Sequence, residues 1–331
     1  MRELQEKDIL FGAAYYPEYM PYDRLQEDIA MMQKAGMNTI RIAESTWSTL
    51  EPAEGVYDFS YIDKTLAAAE EAGMYVIIGT PTYAIPSWLE KKCPEVMVFD
   101  GYSRKKYGKR QIMDIVHPVF RKCAENVICK LLEHTANVSC VIGFQIDNET
   151  KHYGTASPQV QRMFVEYLKT KFHTTEQLNE VFGLRYWSNS ISDWSDFPDM
   201  AGCIHGGLAC EFAKFQRSLA AEYLVWQSEL VKKYKRQDQF ITHNFDFEWK
   251  KFGADIAQDG YSYGVQPDIN HYEASKAVTI AGTDIYHPTQ DGLTGAEIGF
   301  GGDSIRTLKD DAYIVLECQA QAFKYWTPYP G

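Results

Sequence analysis

Along the chain, short apolar runs rich in β-branched and aromatic residues alternate with longer stretches in which apolar residues return every three or four positions. The runs predict strands at 9–16, 38–44, 75–81, 140–147, 239–245, 279–287 and 312–317, each too short and too continuously apolar for a helix. The longer stretches predict helices. In 22–36, Leu25, Ile29, Met31 and Met32 share one side and Gly36 ends the run. The stretch 58–73 repeats the form, with Asp58 or Ser60 as N-cap and Gly73 as stop, and further helical stretches cover 118–135 and 208–235.

Strands alternating with helices predict parallel βα units and an α/β fold. A doubly wound sheet usually carries a Gly-rich turn after its first strand, but here that turn reads YYPEYMP (15–21). Acids and aromatics recur at the C-terminal ends of several strands, which favours a TIM (β/α)8-type barrel, incomplete, with about seven βα units. The segment 183–207, rich in Trp, Ser, Asp and Pro, reads as an excursion over the barrel mouth. No linker divides the chain, so 1–331 is read as one catalytic barrel domain.

Composition narrows the chemistry. The formal net charge is -12, which leaves no basic field for nucleic acid or a membrane surface. The one basic cluster, 103–110, reads as a solvated loop that also carries Arg110. The aromatic share of 14% suits a surface that stacks flat ligands such as sugar rings. Seven scattered cysteines without a CxxC pair argue for reduced thiols and a cytoplasmic protein. The N-terminal segment has no apolar core of a signal sequence, and no apolar run reaches the length of a bilayer span. The eight histidines show no HxH or HExxH spacing, so no metal is expected, and there is no GxSxG elbow.

Under the barrel reading the strand ends supply Glu18, Arg41, Glu44, Trp47, Tyr83, Asp147, Asn148, Glu149, His243, Asn244, Asp284, Tyr286 and Glu317. Glu149 and Glu317 end the fourth and seventh strands and are the natural pair for acid-assisted attack on a glycosidic bond. Retention of configuration needs two carboxyl groups about 5–5.5 Å apart. Asn148 can donate to a sugar 2-hydroxyl, or simply form an Asx turn. Arg41 and Glu44 read either as a buried ion pair or as ligand contacts; as a pair they would hold the nucleophile ionised.

Six stretches resemble one known family: GAAYYPEYMP (12–21), IRIAESTWSTLEPAEGVYDFSYID (40–63), PTYAIPSWL (81–89), GFQIDNE (143–149), THNF (242–245) and ECQAQAFKYWTPYPG (317–331). They are similar to the β-galactosidases of glycoside hydrolase family 42, a family of retaining (β/α)8 glycosidases. The resemblance implies release of terminal β-D-galactose through a covalent glycosyl-enzyme, with Glu149 as acid/base and Glu317 as nucleophile. It further implies that Asn148 binds the 2-hydroxyl, Arg110 contacts the sugar, Tyr286 touches the nucleophile and Trp326 walls the sugar site.

Many members of the family hold zinc through a cysteine cluster; the matching segments here contain no cysteine, so neither structural zinc nor any other cofactor is expected. Family members also continue with an eighth βα unit, a trimer-forming domain and a small β domain, so a homotrimer is the expected assembly of such a protein. The open barrel is expected to leave its first and seventh strands with unpaired edges. The alternatives are a β-glucosidase, β-fucosidase or α-L-arabinopyranosidase sharing the pocket, or a sugar-binding fragment without turnover.

Overall fold

Alternation within each apolar run decides which side chains face the barrel interior and which face the helices, and so which residues reach the rim. The computed structural model describes residues 9–20, 22–251, 261–286 and 295–318. Five strands pair in parallel in chain order: β1 (Gly12–Ala14), β2 (Thr39–Ile42), β3 (Tyr75–Gly79), β4 (Val141–Gln145) and β5 (Phe240–Thr242). After a break at His243, β6 (Asn244–Phe245) carries the fifth stave onward. An antiparallel hairpin of β7 (Phe247–Lys251) and β8 (Tyr261–Val265) follows, which the sequence reading did not foresee. Then β9 (Ala281–Asp284) pairs with β6 on one side and with β10 (Tyr313–Glu317) on the other.

Among the described residues seven staves are therefore present, in the order expected for an incomplete (β/α)8 barrel. In β1 to β4 and β9 the last residues of the apolar runs leave the ladder to build the rim. In β2, Ile40 and Ile42 pack toward the helices in the main core, which places Arg41 on the interior face. In β3, Val76 and Ile78 face outward while Tyr75 and Ile77 join Ile142 and Phe240 in a small cluster inside the barrel. The β3–β4 register skips between Val76 and Ile77, opposite Val141 and Gly143. Ile142 is the inserted residue, and this bulge turns Phe144 outward and Gln145 inward. At the end of β3, a side chain on Gly79 would meet the Cβ of Glu44 at 2.4 Å, so the absence of one lets the chain after β2 cross close above β3.

The predicted helices appear as Leu25–Lys34, Ser60–Glu71, Pro118–Thr135 and Gly206–Lys232. Gly36 and Gly73 follow the first two at φ +80° and +66°, the left-handed stop the pattern implied. The N-cap position of the second is Phe59, with neither expected residue in place; Asp58 instead accepts the Ser60 N–H at 2.9 Å from one position earlier. The segment expected over the barrel mouth is held against the outer helix Pro158–Phe172: Phe197 packs edge-on to Phe164, and Gln161 accepts the Met200 N–H at 3.2 Å. Trp194 and Phe197 pack against the core there, while Tyr186 and Trp187 stack on each other and stay exposed. Among the described residues β1 pairs only with β2 and β10 only with β9, and in β10 Tyr313 and Val315 are 37% and 46% exposed. No described helix is long and apolar enough to cross a membrane.

Candidate active site

Where β4 ends, the chain leaves the ladder through two left-handed residues, Asp147 at φ +48° and Glu149 at φ +43°. Non-glycine residues seldom adopt this conformation, and it persists only where the surroundings over-determine it. The turn lifts the Glu149 carboxyl over the rim, where Arg110 approaches to 3.4 Å. Arg110 itself lies over the Tyr83 ring, 5.7 Å from its centroid. The Glu149 backbone is tied down as well: its N–H donates to Asn244 Oδ1 at 3.1 Å, and Gln111 Nε2 donates to its carbonyl at 3.2 Å.

Glu317, the last residue of β10, enters from the opposite side. Both of its oxygens are held: Oε1 by Arg41 at 2.7 Å, and Oε2 by the Tyr286 hydroxyl at 2.6 Å. Arg41 is 3% exposed and also reaches Glu44 at 3.3 Å and Gln145 Oε1 at 2.7 Å, while the Tyr16 hydroxyl lies 3.2 Å away. The buried ion pair of Arg41 and Glu44 is present, and its arginine also grips Glu317.

Asn244, directly after the break in the fifth stave, is the hub. Its Nδ2 donates to Asn148 Oδ1 and to Asp284 Oδ2, both at 2.8 Å, and lies 3.4 Å from Glu317 Oε1. Because the Asn148 oxygen is engaged, the donor half of that amide is the part available to a ligand. Residue type and strand-end position flagged Asn244, but its linking role depends on the break at His243. Gln145 and Tyr16 were not singled out at all; the bulge in β4 is what turns Gln145 inward.

One oxygen each from Glu149, Asp284 and Glu317 lies within 4.8 Å of the others. Three clustered oxygens are also a cation-ligand geometry, but the Arg41 guanidinium already neutralises this side of the cluster, which disfavours a second cation. The environments drive the acids apart. Burial, with the nearby Asp246 and against Lys151 and Arg110, raises the Glu149 carboxyl. Burial would also raise Glu317, yet Arg41, assisted by the Tyr286 hydrogen bond, outweighs it and holds the group below the ordinary glutamate range. Asp284, like Glu149, is pushed up, chiefly by burial and then by the charges of Glu317 and Glu149. Glu18 is raised to about 7, chiefly by burial, and both its oxygens are buried without a hydrogen-bond partner. Trp326 lies outside the described residues.

Replacing Tyr286 by Phe removes a donor to the ionised form of Glu317, and the carboxyl pKa must rise. If Glu317 acts as a carboxylate, the acid limb of the pH–rate profile moves to higher pH while the alkaline limb stays. A hydrogen bond to a charged group contributes about 1.5–3 kcal/mol, so kcat/KM should fall roughly 10- to 150-fold. A pH–rate profile of the variant reads both effects.

An α/β barrel of seven staves with two carboxylates of opposed ionisation at its C-terminal rim defines the class of (β/α)-barrel proteins with a glycosidase-like pair of acids. A family model described as β-galactosidase matches residues 14–330. The chain belongs to this family, glycoside hydrolase family 42. It is 31% identical over 252 residues to a β-galactosidase from a Thermus species, covering 71% of this chain and 38% of that protein. It is 28% identical over 333 residues to a β-galactosidase from Clostridium cellulovorans, covering 97% and 48% respectively. A solved catalytic mutant of a family 42 β-galactosidase from G. stearothermophilus superimposes with a TM-score of 0.83 at 26% identity, covering 95% of this chain and 46% of that one. The chain thus spans less than half the length of these relatives.

Proposed function

We propose that this chain carries the catalytic pair of a retaining exo-β-galactosidase, with residues 1–331 as its barrel domain. The observation that supports the reading best is the pair Glu149 and Glu317, with oxygens within 4.8 Å of each other and ionisation driven in opposite senses. That spacing suits direct attack by one carboxylate; inversion would need room for a water between them. The cysteine pattern supports a cytoplasmic location and the family resemblance supports a homotrimer.

In the first half-reaction Glu317 forms a bond to the anomeric carbon, while the bond to the leaving-group oxygen breaks and Glu149 delivers its proton to that oxygen. In the second, Glu149, now a carboxylate, takes a proton from water as the water oxygen attacks the anomeric carbon and Glu317 departs. Two inversions give net retention. Arg41 and Tyr286 hold Glu317 ionised and aimed, and the available Asn148 N–H group binds the 2-hydroxyl.

A panel of nitrophenyl glycosides tests the substrate class. The β-D-galactoside should be turned over with the highest kcat/KM, and preference for a β-glucoside, β-fucoside or α-L-arabinopyranoside would reassign it. Asn148→Ala should cost roughly 30- to 1,000-fold on the galactoside, since hydrogen bonds to the 2-hydroxyl supply several kcal/mol at the transition state. The same substitution should cost little on the 2-deoxy galactoside. Equal losses on both substrates would remove Asn148 from the 2-hydroxyl.

A further inference from the structure

Beneath the turn that carries Glu149, four buried residues from three separate parts of the chain close a hydrogen-bonded ring. The Thr80 hydroxyl donates to Gln227 Oε1 at 2.6 Å, and Gln227 Nε2 donates to Thr82 Oγ1 at 2.8 Å. The Thr82 hydroxyl donates to Asp147 Oδ1 at 2.6 Å, and the Asp147 N–H returns to Thr80 Oγ1 at 2.6 Å. Thr80 and Thr82 follow β3, Asp147 follows β4, and Gln227 comes from the helix Gly206–Lys232. None of the four side chains is more than 1% exposed.

Each hydroxyl in the ring accepts one hydrogen bond and donates one, so the direction of the circuit is fixed. The second Asp147 oxygen accepts from Thr150, which places both carboxylate oxygens under donors on either side of Glu149. This ring surrounds the left-handed turn at Asp147 and Glu149, and the mechanism above assigns it no part. A conformation that side chains avoid needs such surroundings to persist.

Resting on the reading of Glu149 as acid/base, we propose that Asp147 is a positioning residue: anchored by Thr82, Thr150 and Thr80, it holds the turn that aims the Glu149 carboxyl at the leaving-group oxygen. Asp147 does not touch substrate. Its carboxylate is required as an acceptor of two hydroxyl hydrogen bonds. An amide at this position offers one oxygen and presents an N–H group to a hydroxyl already committed as a donor.

The test is leaving-group dependence, which a general loss of folded protein does not alter. Asp147→Asn, Thr82→Val and Thr82→Ser are compared with Glu149→Ala on phenyl and 2,4-dinitrophenyl β-galactosides, with thermal melts confirming folding. Proton delivery matters for phenol and hardly for dinitrophenol. In kcat/KM, which reads only the steps through formation of the glycosyl-enzyme, Asp147→Asn and Thr82→Val should lose roughly 100-fold on the phenyl galactoside and less than about threefold on the dinitrophenyl one, general acid catalysis contributing about 10²–10⁴-fold. Thr82→Ser, which keeps the donor, should restore the phenyl rate. Thr82→Val leaves the carboxyl in place and decides the matter if Asp147→Asn does not fold. Losses equal on both substrates, or absent from both, in variants that fold would overturn the proposal while Glu149→Ala still shows the split. If Glu149→Ala itself shows no split, the acid/base reading falls and this proposal with it.

Discussion

Glu317→Gly is expected to lower turnover of aryl β-galactosides by roughly 10⁴-fold or more, equivalent to about 5.5 kcal/mol of transition-state stabilisation. No other acid can substitute. Asp284, within 4.8 Å, has its carboxyl pushed up chiefly by burial, which the substitution leaves in place, and Glu149 is needed in its protonated form. Azide should restore the rate with an activated substrate, because removal of the side chain opens space on the face Glu317 occupied. The product should be the α-galactosyl azide, formed by a single inversion. Product configuration, read by NMR, checks the assignment: rescue with retained configuration would mean that the wrong carboxylate had been removed.

Glu149→Ala should give the mirror outcome. Loss of the proton donor is expected to slow phenyl galactoside hydrolysis by about 10²–10⁴-fold, while the dinitrophenyl galactoside still forms the glycosyl-enzyme. That intermediate then waits for a nucleophile, since no base activates water. Azide should therefore accelerate turnover and yield the β-galactosyl azide, with configuration retained because two inversions have occurred. The alkaline limb of the pH–rate profile should also vanish. The group that must hold a proton is Glu149, whose raised carboxyl loses it as pH rises through its folded-state pKa. A variant that kept the alkaline limb would point to another acid, with Asp284 the nearest candidate.

The staves were legible as short, continuously apolar runs, because parallel strands are buried on both faces. In β2 Arg41 between Ile40 and Ile42 marks the interior face, whereas Val76, Ile77 and Ile78 are alike in sequence and only the structure separates them. The helix Pro158–Phe172 was missed, although Ser157 caps it and Val160, Phe164, Leu168 and Phe172 are buried at regular spacing. The hairpin of β7 and β8 had no comparable pattern, for its strands mix charge and aromatics.

Within the site, Glu149, Glu317, Asn148 and Tyr286 were visible as residue types at strand ends and Arg110 only through the family resemblance, and the fold brings Arg110 to 3.4 Å from Glu149. Arg41 was recognised as a partner of Glu44 and a possible stabiliser of the nucleophile. Its simultaneous grip on Gln145 was not, because a bulge of one residue decides which way Gln145 points. The same holds for Asn244, Asp284 and the ring under Asp147, which join residues from separate staves by hydrogen bonds that no single stretch of sequence records. Periodicity reveals faces; convergence at the rim depends on register, bulges and breaks.

The most direct test of the central claim is to incubate the protein with 2,4-dinitrophenyl 2-deoxy-2-fluoro-β-D-galactoside and map the label by peptide mass spectrometry. The fluorine slows both formation and breakdown of the glycosyl-enzyme, and the activated leaving group restores only its formation, so the intermediate accumulates. The account predicts one fluorogalactosyl group in ester linkage on the peptide containing Glu317, and none when Glu317 is replaced by Gln. A label on Glu149 or Asp284, or turnover of the dinitrophenyl galactoside with no labelled peptide, would contradict it.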